Sequence, residues 1–213
     1  MVCAVCIAIL PVLIVGCSLM SAPKPAQPAP KPAEPGPKPA EGPQPAAYFP
    51  VAVGSRWDYA GIGNEYAAFV RTVTFRQGDK AQVQDDNGGT VVASVFRISA
   101  NEIKRIVSLP EFYENRSLLD AKENASEVLL RAPLKAGEKW DFALGTRTID
   151  ALGVEVTVPA GTFKQVLKMK VTSKGSDWVT YEYYAPGVGL VKKESGDGKY
   201  TVSSLLKSWV MGK

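Results

Sequence analysis

Over residues 48–213 apolar and polar side chains alternate in short runs, the period of strands with one face buried. In 152–158, Val154, Val156 and Val158 share one face, and Glu155 and Thr157 take the other. In 163–172, Phe163, Leu167, Met169 and Val171 point inward while Lys164, Lys168 and Lys170 point outward. The same reading places strands at 57–60, 67–76, 80–84, 90–98, 102–108, 127–131, 140–143, 179–184, 190–194 and 200–206. Gln77-Gly78-Asp79-Lys80, Asp85-Asp86-Asn87-Gly88-Gly89 and Ser195-Gly196-Asp197-Gly198 supply the residues that tight antiparallel turns need. The expected fold is all-β and mainly antiparallel, a curled half-barrel or sandwich of about a dozen short strands with at most one or two short helices. The one stretch allowed to be helical is 110–125.

The alternation is absent before residue 48. Residues 1–16 carry no charge and only apolar or small side chains, too short a run for the ~20 residues of a membrane-spanning helix. They read as an export signal. The run closes on Leu13-Ile14-Val15-Gly16-Cys17, which resembles the recognition sequence of lipoprotein signal peptidases. Ile14 stands at minus three, Val15 and Gly16 lead to the cut, and Cys17 is the residue that takes lipid. Several acyl chains on Cys17 give stable anchoring where one is marginal. Met1-Val2-Cys3-Ala4 lacks the usual basic start, so an uncleaved amino-terminal anchor broken by Pro11 stays open. Either places the remainder outside the cytoplasm, on the cell membrane or the outer membrane.

Residues 17–20 are then the lipidated start and 21–47 a disordered tether of Pro, Ala, Lys, Glu and Gln, with too little apolar surface to fold. Pro23-Lys24-Pro25-Ala26 recurs at Pro30 and Pro37, every seven residues. Alternate prolines favour polyproline II at ~3.1 Å per residue, a spacer of roughly 80 Å. It serves as a stalk through an envelope layer or as a passive linker. With Cys3 and Cys6 in the signal and Cys17 on lipid, the mature chain keeps no free thiol and no disulfide.

Within 48–213 there is an internal echo. Residues 50–60 align without gaps on 133–143, with Pro, Gly, Trp, Asp and Ala coincident. In each copy a glycine turn starts a strand whose Trp and second aromatic, two apart, share a face. Two readings follow: equivalent entries into a sheet, or an apolar groove lined by Trp57, Tyr59, Trp140 and Phe142.

Val158-Pro159-Ala160-Gly161-Thr162-Phe163, then a lysine-rich strand, then Tyr183-Tyr184-Ala185-Pro186-Gly187-Val188-Gly189-Leu190-Val191, forms a signature similar to that of bacterial envelope proteins of unknown function. These are allied in fold to the lipoprotein carriers and receptors of the Lol system. The resemblance implies a strongly bent antiparallel half-barrel whose concave side accepts acyl chains. No segment of this chain matches a lipid-receptor insertion loop.

Reactive chemistry is sparse. The chain has no histidine, which removes the commonest general base and metal ligand, and neither a phosphate loop nor a dinucleotide fingerprint is present. Asp85-Asp86 reads as turn chemistry, with a weak calcium site as the alternative; Glu111, Glu114, Asp120 and Glu123 could supply a glycosidase-like pair, but any chain of this size contains such pairs by chance. The formal charge of +4 with interspersed signs argues against nucleic acid, while the row Lys164, Lys168, Lys170 could touch anionic lipid or wall polymer. The expectation is a non-enzymatic lipoprotein without metal or cofactor. Its β domain binds an apolar, lipid or envelope-polymer ligand or an envelope protein, or is purely structural; a carboxylate-based wall hydrolase is the remaining alternative.

Overall fold

The computed structural model describes residues 42–213. Twelve strands run in chain order: β1 (Arg56–Ile62), β2 (Phe69–Gln77), β3 (Lys80–Asp86), β4 (Val91–Ile98), β5 (Glu102–Leu109), β6 (Glu127–Arg131), β7 (Lys139–Phe142), β8 (Gly145–Val158), β9 (Gly161–Ser173), β10 (Val179–Ala185), β11 (Gly189–Gly196) and β12 (Thr201–Val210). Two 3-10 turns, Pro45–Tyr48 and Glu65–Ala67, are the only helices among the described residues. The fold is all-β and antiparallel as expected. The curled form is the one adopted, and the sandwich is not.

All twelve strands belong to one sheet in the order β6-β5-β4-β3-β2-β1-β12-β11-β10-β9-β8-β7. Each half, β1–β6 and β7–β12, is a simple meander, and the halves join where β1 pairs with β12, Arg56 opposite Val210. The free edges are therefore β6 and β7, adjacent in sequence but without a ladder between them. The sheet curls until these edges meet. Trp140 Nε1 donates to the Val128 carbonyl at 2.8 Å, the Arg131 guanidinium lies 5.3 Å from the Trp140 ring, and Arg147 reaches Glu127 at 2.7 Å. Side chains, in place of a backbone ladder, fasten the seam of a nearly closed barrel.

The echo marks the start of each half. Gly54 and Gly137 hold φ of +85° and +88°, a left-handed turn open to glycine, just ahead of β1 and β7. The β8–β9 and β10–β11 turns fall on the Pro-Ala-Gly and Pro-Gly elements of the carboxy-terminal signature. In β9, Gln165 at φ 56° interrupts the alternation, so that Val166 and Leu167 are both buried.

Antiparallel order sets the two ends of the barrel. The end carrying the β2–β3, β4–β5, β6–β7, β8–β9 and β10–β11 turns is closed by the amino-terminal segment. Tyr48, Phe49 and Val51 are buried there, Phe49 packs 4.9 Å from Phe96, Ala47 accepts from the Gly187 amide at 2.7 Å, and the Tyr48 hydroxyl donates to Gln165. The turn Pro45–Tyr48 thus spans the expected tether–domain boundary at 47/48. Above this plug sits the main core, with Val73, Val83, Ile103, Leu130, Ile149, Leu167, Met169 and Leu206 fully enclosed.

Residues 110–125, the one stretch allowed to be helical, form no helix. They cross the outer face of β4 and β5 as an irregular strap, burying Phe112, Leu118 and Leu119 against Ala93, Val95, Ile106 and Val107. Buried Gln82 fixes it, accepting from the Leu118 amide at 2.6 Å and donating to the Arg116 carbonyl. The strap's leucines and phenylalanine lack a helical period because they follow the contour of a sheet.

Candidate functional site: a charged cavity inside the barrel

The end opposite the plug is open. There the strands enclose a cavity of about 270 Å³, lined from β2, β3, β4, β5, β6, β8, β10 and β11. Its lining is charged. Arg71 on β2 makes a two-pronged pair with Asp85 on β3, at 2.8 and 2.7 Å. Arg147 on β8, only 6% exposed, donates to Glu127 on β6 and to Glu182 on β10, both at 2.7 Å. Glu127 also accepts from Arg105 on β5, and Glu182 accepts the Tyr184 hydroxyl at 2.8 Å. A hydrogen-bonded chain from Arg105 to Tyr184 thus crosses the seam.

Burial alone would raise the Glu182 carboxyl. Arg147 beside it, Lys193 nearby and hydrogen bonds from Arg147 and Tyr184 outweigh burial and hold it at about 2. Burial, with Glu182 adjacent, drives the Tyr184 hydroxyl well above its ordinary value. The Glu182–Arg147 pair and a neutral Tyr184 are therefore kept across the physiological range.

The mouth has an apolar rim. Of nine large hydrophobic residues exposed among the described residues, six (Ile62, Tyr66, Tyr113, Leu144, Trp178 and Tyr200) lie at this end or in its loops. Trp178 and Tyr200 pair across neighbouring loops, ring centres 6.3 Å apart.

The residues singled out from sequence fall elsewhere. Trp57 and Tyr59 are core: Trp57 Nε1 donates to the Val188 carbonyl at 2.8 Å, the Tyr59 hydroxyl to Leu190 at 2.7 Å, and Tyr59 stacks on Phe69. The space left beside them is about 10 Å³, at the limit for one water. Trp140 and Phe142 stand at the seam, Phe142 with the Arg147 guanidinium 5.8 Å from its ring. The four aromatics line no common groove, because the polar tips of Trp57, Tyr59 and Trp140 are tied to backbone carbonyls. The two copies of the echo start β1 and β7, the first strand of each half.

The lysine row is not a uniform cationic stripe. Lys164 is exposed near Glu155, Lys168 is paired with Asp150 at 2.7 Å and lies over the Tyr181 ring, and Lys170 is half-buried. Asp85 is a correction: its carboxylate faces the cavity and holds Arg71, whereas Asp86 serves the turn by accepting from the Gly88 amide. Of the strap carboxylates, Glu111 accepts from Tyr113, Glu114 from Arg116 and Glu123 from Arg97. No group of three or more potential metal ligands occurs among the described residues. Ile14, Val15, Gly16 and Cys17 lie outside the described residues.

Sequence reading missed the cavity because it assigned charges to solvent. The signal was phase: Arg71 shares the face of Phe69 and Val73, Glu127 that of Leu129, and Glu182 that of Tyr184. Opposite charges on the apolar phase of separate strands mark a built interior.

The family described as DUF3108-like matches residues 98–207, from the end of β4 into β12. Two solved structures are similar. A Bacteroides fragilis NCTC 9343 protein, described as a "putative exported protein with YmcC-like fold", is 14% identical, with 76% of this chain and 98% of that one covered at a TM-score of 0.45. A "putative lipoprotein" from Parabacteroides distasonis ATCC 8503 is 16% identical over the same shares at 0.42. No curated protein matches.

Proposed function

The chain belongs to the DUF3108-like family, and we propose that it is a lipid-anchored protein of the cell envelope whose barrel takes up a small polar ligand without transforming it. Acyl chains on Cys17 hold it to the membrane, residues 21–47 space it, and the open end of the barrel receives the ligand. The observation that carries this reading is the cavity: it is floored by the core that rests on the Tyr48–Phe49–Val51 plug, open above, and lined by charged side chains held in place by one another. Such preorganised polar groups in a concave site fix the orientation of a ligand.

Binding without catalysis is supported by the state of the carboxylates. Asp85, Glu127 and Glu182 are each paired with arginine, and Glu182, held well below the usual carboxylate range by Arg147, is not poised to move a proton near neutral pH. The acyl-carrier role that the resemblance to the Lol system implies fits this interior poorly. An alkyl chain there would strip water from paired charges without replacing its hydrogen bonds.

Two measurements test the reading. Cys17→Ala in the full chain is expected to abolish acyl labelling and release the protein from membranes; unchanged partition sinks the anchor. Native mass spectrometry of the full chain, purified from its own host, is expected to show an adduct that disappears on denaturation. Empty protein in every preparation favours the purely structural module.

A further inference from the structure

We propose that the ligand is a small oxyanion, a carboxylate or a phosphate monoester, received between Arg105 and Lys193; this rests on the reading that the barrel binds a ligand. Four cations line the cavity, Arg71, Arg105, Arg147 and Lys193, against three carboxylates, Asp85, Glu127 and Glu182. One positive charge is in surplus within a partly enclosed space, where protein walls focus the field on an incoming ion.

The surplus can be located. Arg71 spends its fork on Asp85, and Arg147 spends all three of its nitrogens on Glu127 and Glu182. Arg105 gives one nitrogen to Glu127, which it shares with Arg147. Its Nε is shut off from solvent and has no acceptor. A guanidinium offers five donors in a fixed fork that matches carboxylate and phosphate oxygens, so Arg105 is the arginine with donors to give. Lys193 is exposed and makes no ion pair among the described residues. Glu182 stands opposite it on β10 and is already paired with Arg147. An entering oxyanion meets the exposed donors of the Arg105 guanidinium, which lines the cavity and gives only one nitrogen to Glu127, and balances Lys193 without breaking an existing pair. Around them Asn87, Thr90 and Tyr66 at the mouth offer neutral hydrogen-bonding groups to the remainder of the molecule.

The test is titration calorimetry on the full chain in detergent, with glycerol 3-phosphate, glucuronate and glucose as probes at low and at high salt. One of the two oxyanions is expected to bind, more weakly in high salt, and glucose is not; which oxyanion binds separates the phosphate from the carboxylate source. Lys193→Gln alters an exposed side chain and is expected to weaken binding at least tenfold with an unchanged circular dichroism spectrum. Arg105→Gln is expected to do the same or more. Equal binding of glucose, an affinity that neither substitution changes, or failure of both oxyanions to bind overturns the proposal. A neutral adduct released from the host-purified protein also overturns it while leaving the binding function standing, whereas an empty barrel removes both.

Discussion

A carboxyl enclosed by protein ordinarily holds its proton more tightly than one in water, yet Glu182 lets go at about 2, below its ordinary 4.5. The sign of the consequence follows. A group whose folded value is depressed stabilises the fold fully above its unfolded value and stops doing so as pH falls through the folded one. Glu182 therefore contributes fully above about pH 4.5, progressively less down to about pH 2, and nothing below, a few kcal/mol in all. Glu182→Gln is expected to destabilise the protein by about 3–5 kcal/mol at pH 7, since it leaves Arg147 buried with one partner fewer. It is also expected to flatten the loss of stability between pH 4.5 and 2. Urea melts of both proteins at pH 7 and pH 3 check this; parallel losses in that window would show that another carboxyl carries it. At this scale the sequence was least legible. A buried arginine and a solvent-facing one look alike in a strand until a matching carboxylate is found in phase on another strand.

Strands were read well and their edges were not. The hydrophobic period located all twelve, and the Asn, Asp and Gly turns joined the right neighbours. The first half of β8 escaped because Arg147 occupies an inward position between Gly145 and Ile149, where an apolar residue was sought. The strap escaped because its period answers to the sheet beneath it. Nor could alternation show that β6 and β7 approach without a ladder. That seam yields a specific expectation for Trp140→Phe, which keeps the ring and deletes the bond to Val128. The cost is about 1–3 kcal/mol for a carbonyl left without its donor. Amide exchange is expected to quicken along β6 and β7 and not along β1 and β12. Trp57→Phe removes a similar bond, to Val188, from a strand laddered on both sides, and its exchange effect is expected to stay local. If both substitutions loosen the same strands, the seam is not an independent edge.

For the whole domain, the plug decides where folding begins along the chain. Starting the protein at residue 52 removes Tyr48, Phe49 and Val51, each contributing about 1.5–3 kcal/mol by burial, against a typical total of 5–15 kcal/mol. Such a truncation is expected to lower the melting temperature sharply, while one starting at residue 42 leaves it unchanged. Equal melting temperatures would mean that the plug is dispensable. Composition set the tether's end at 47 because proline and alanine read as linker whether or not they are packed. The pairing of β1 with β12 has a consequence of another kind. The strip of sheet runs unbroken through the chain's two ends and is cut in its middle, between Arg131 and Lys139. A circular permutant that opens at this connection and joins Lys213 to the segment before Pro45 would pair each strand only with its neighbour in sequence. Contact order drops, and folding is expected to accelerate, because the natural chain must bring its most distant strands together to join the two halves.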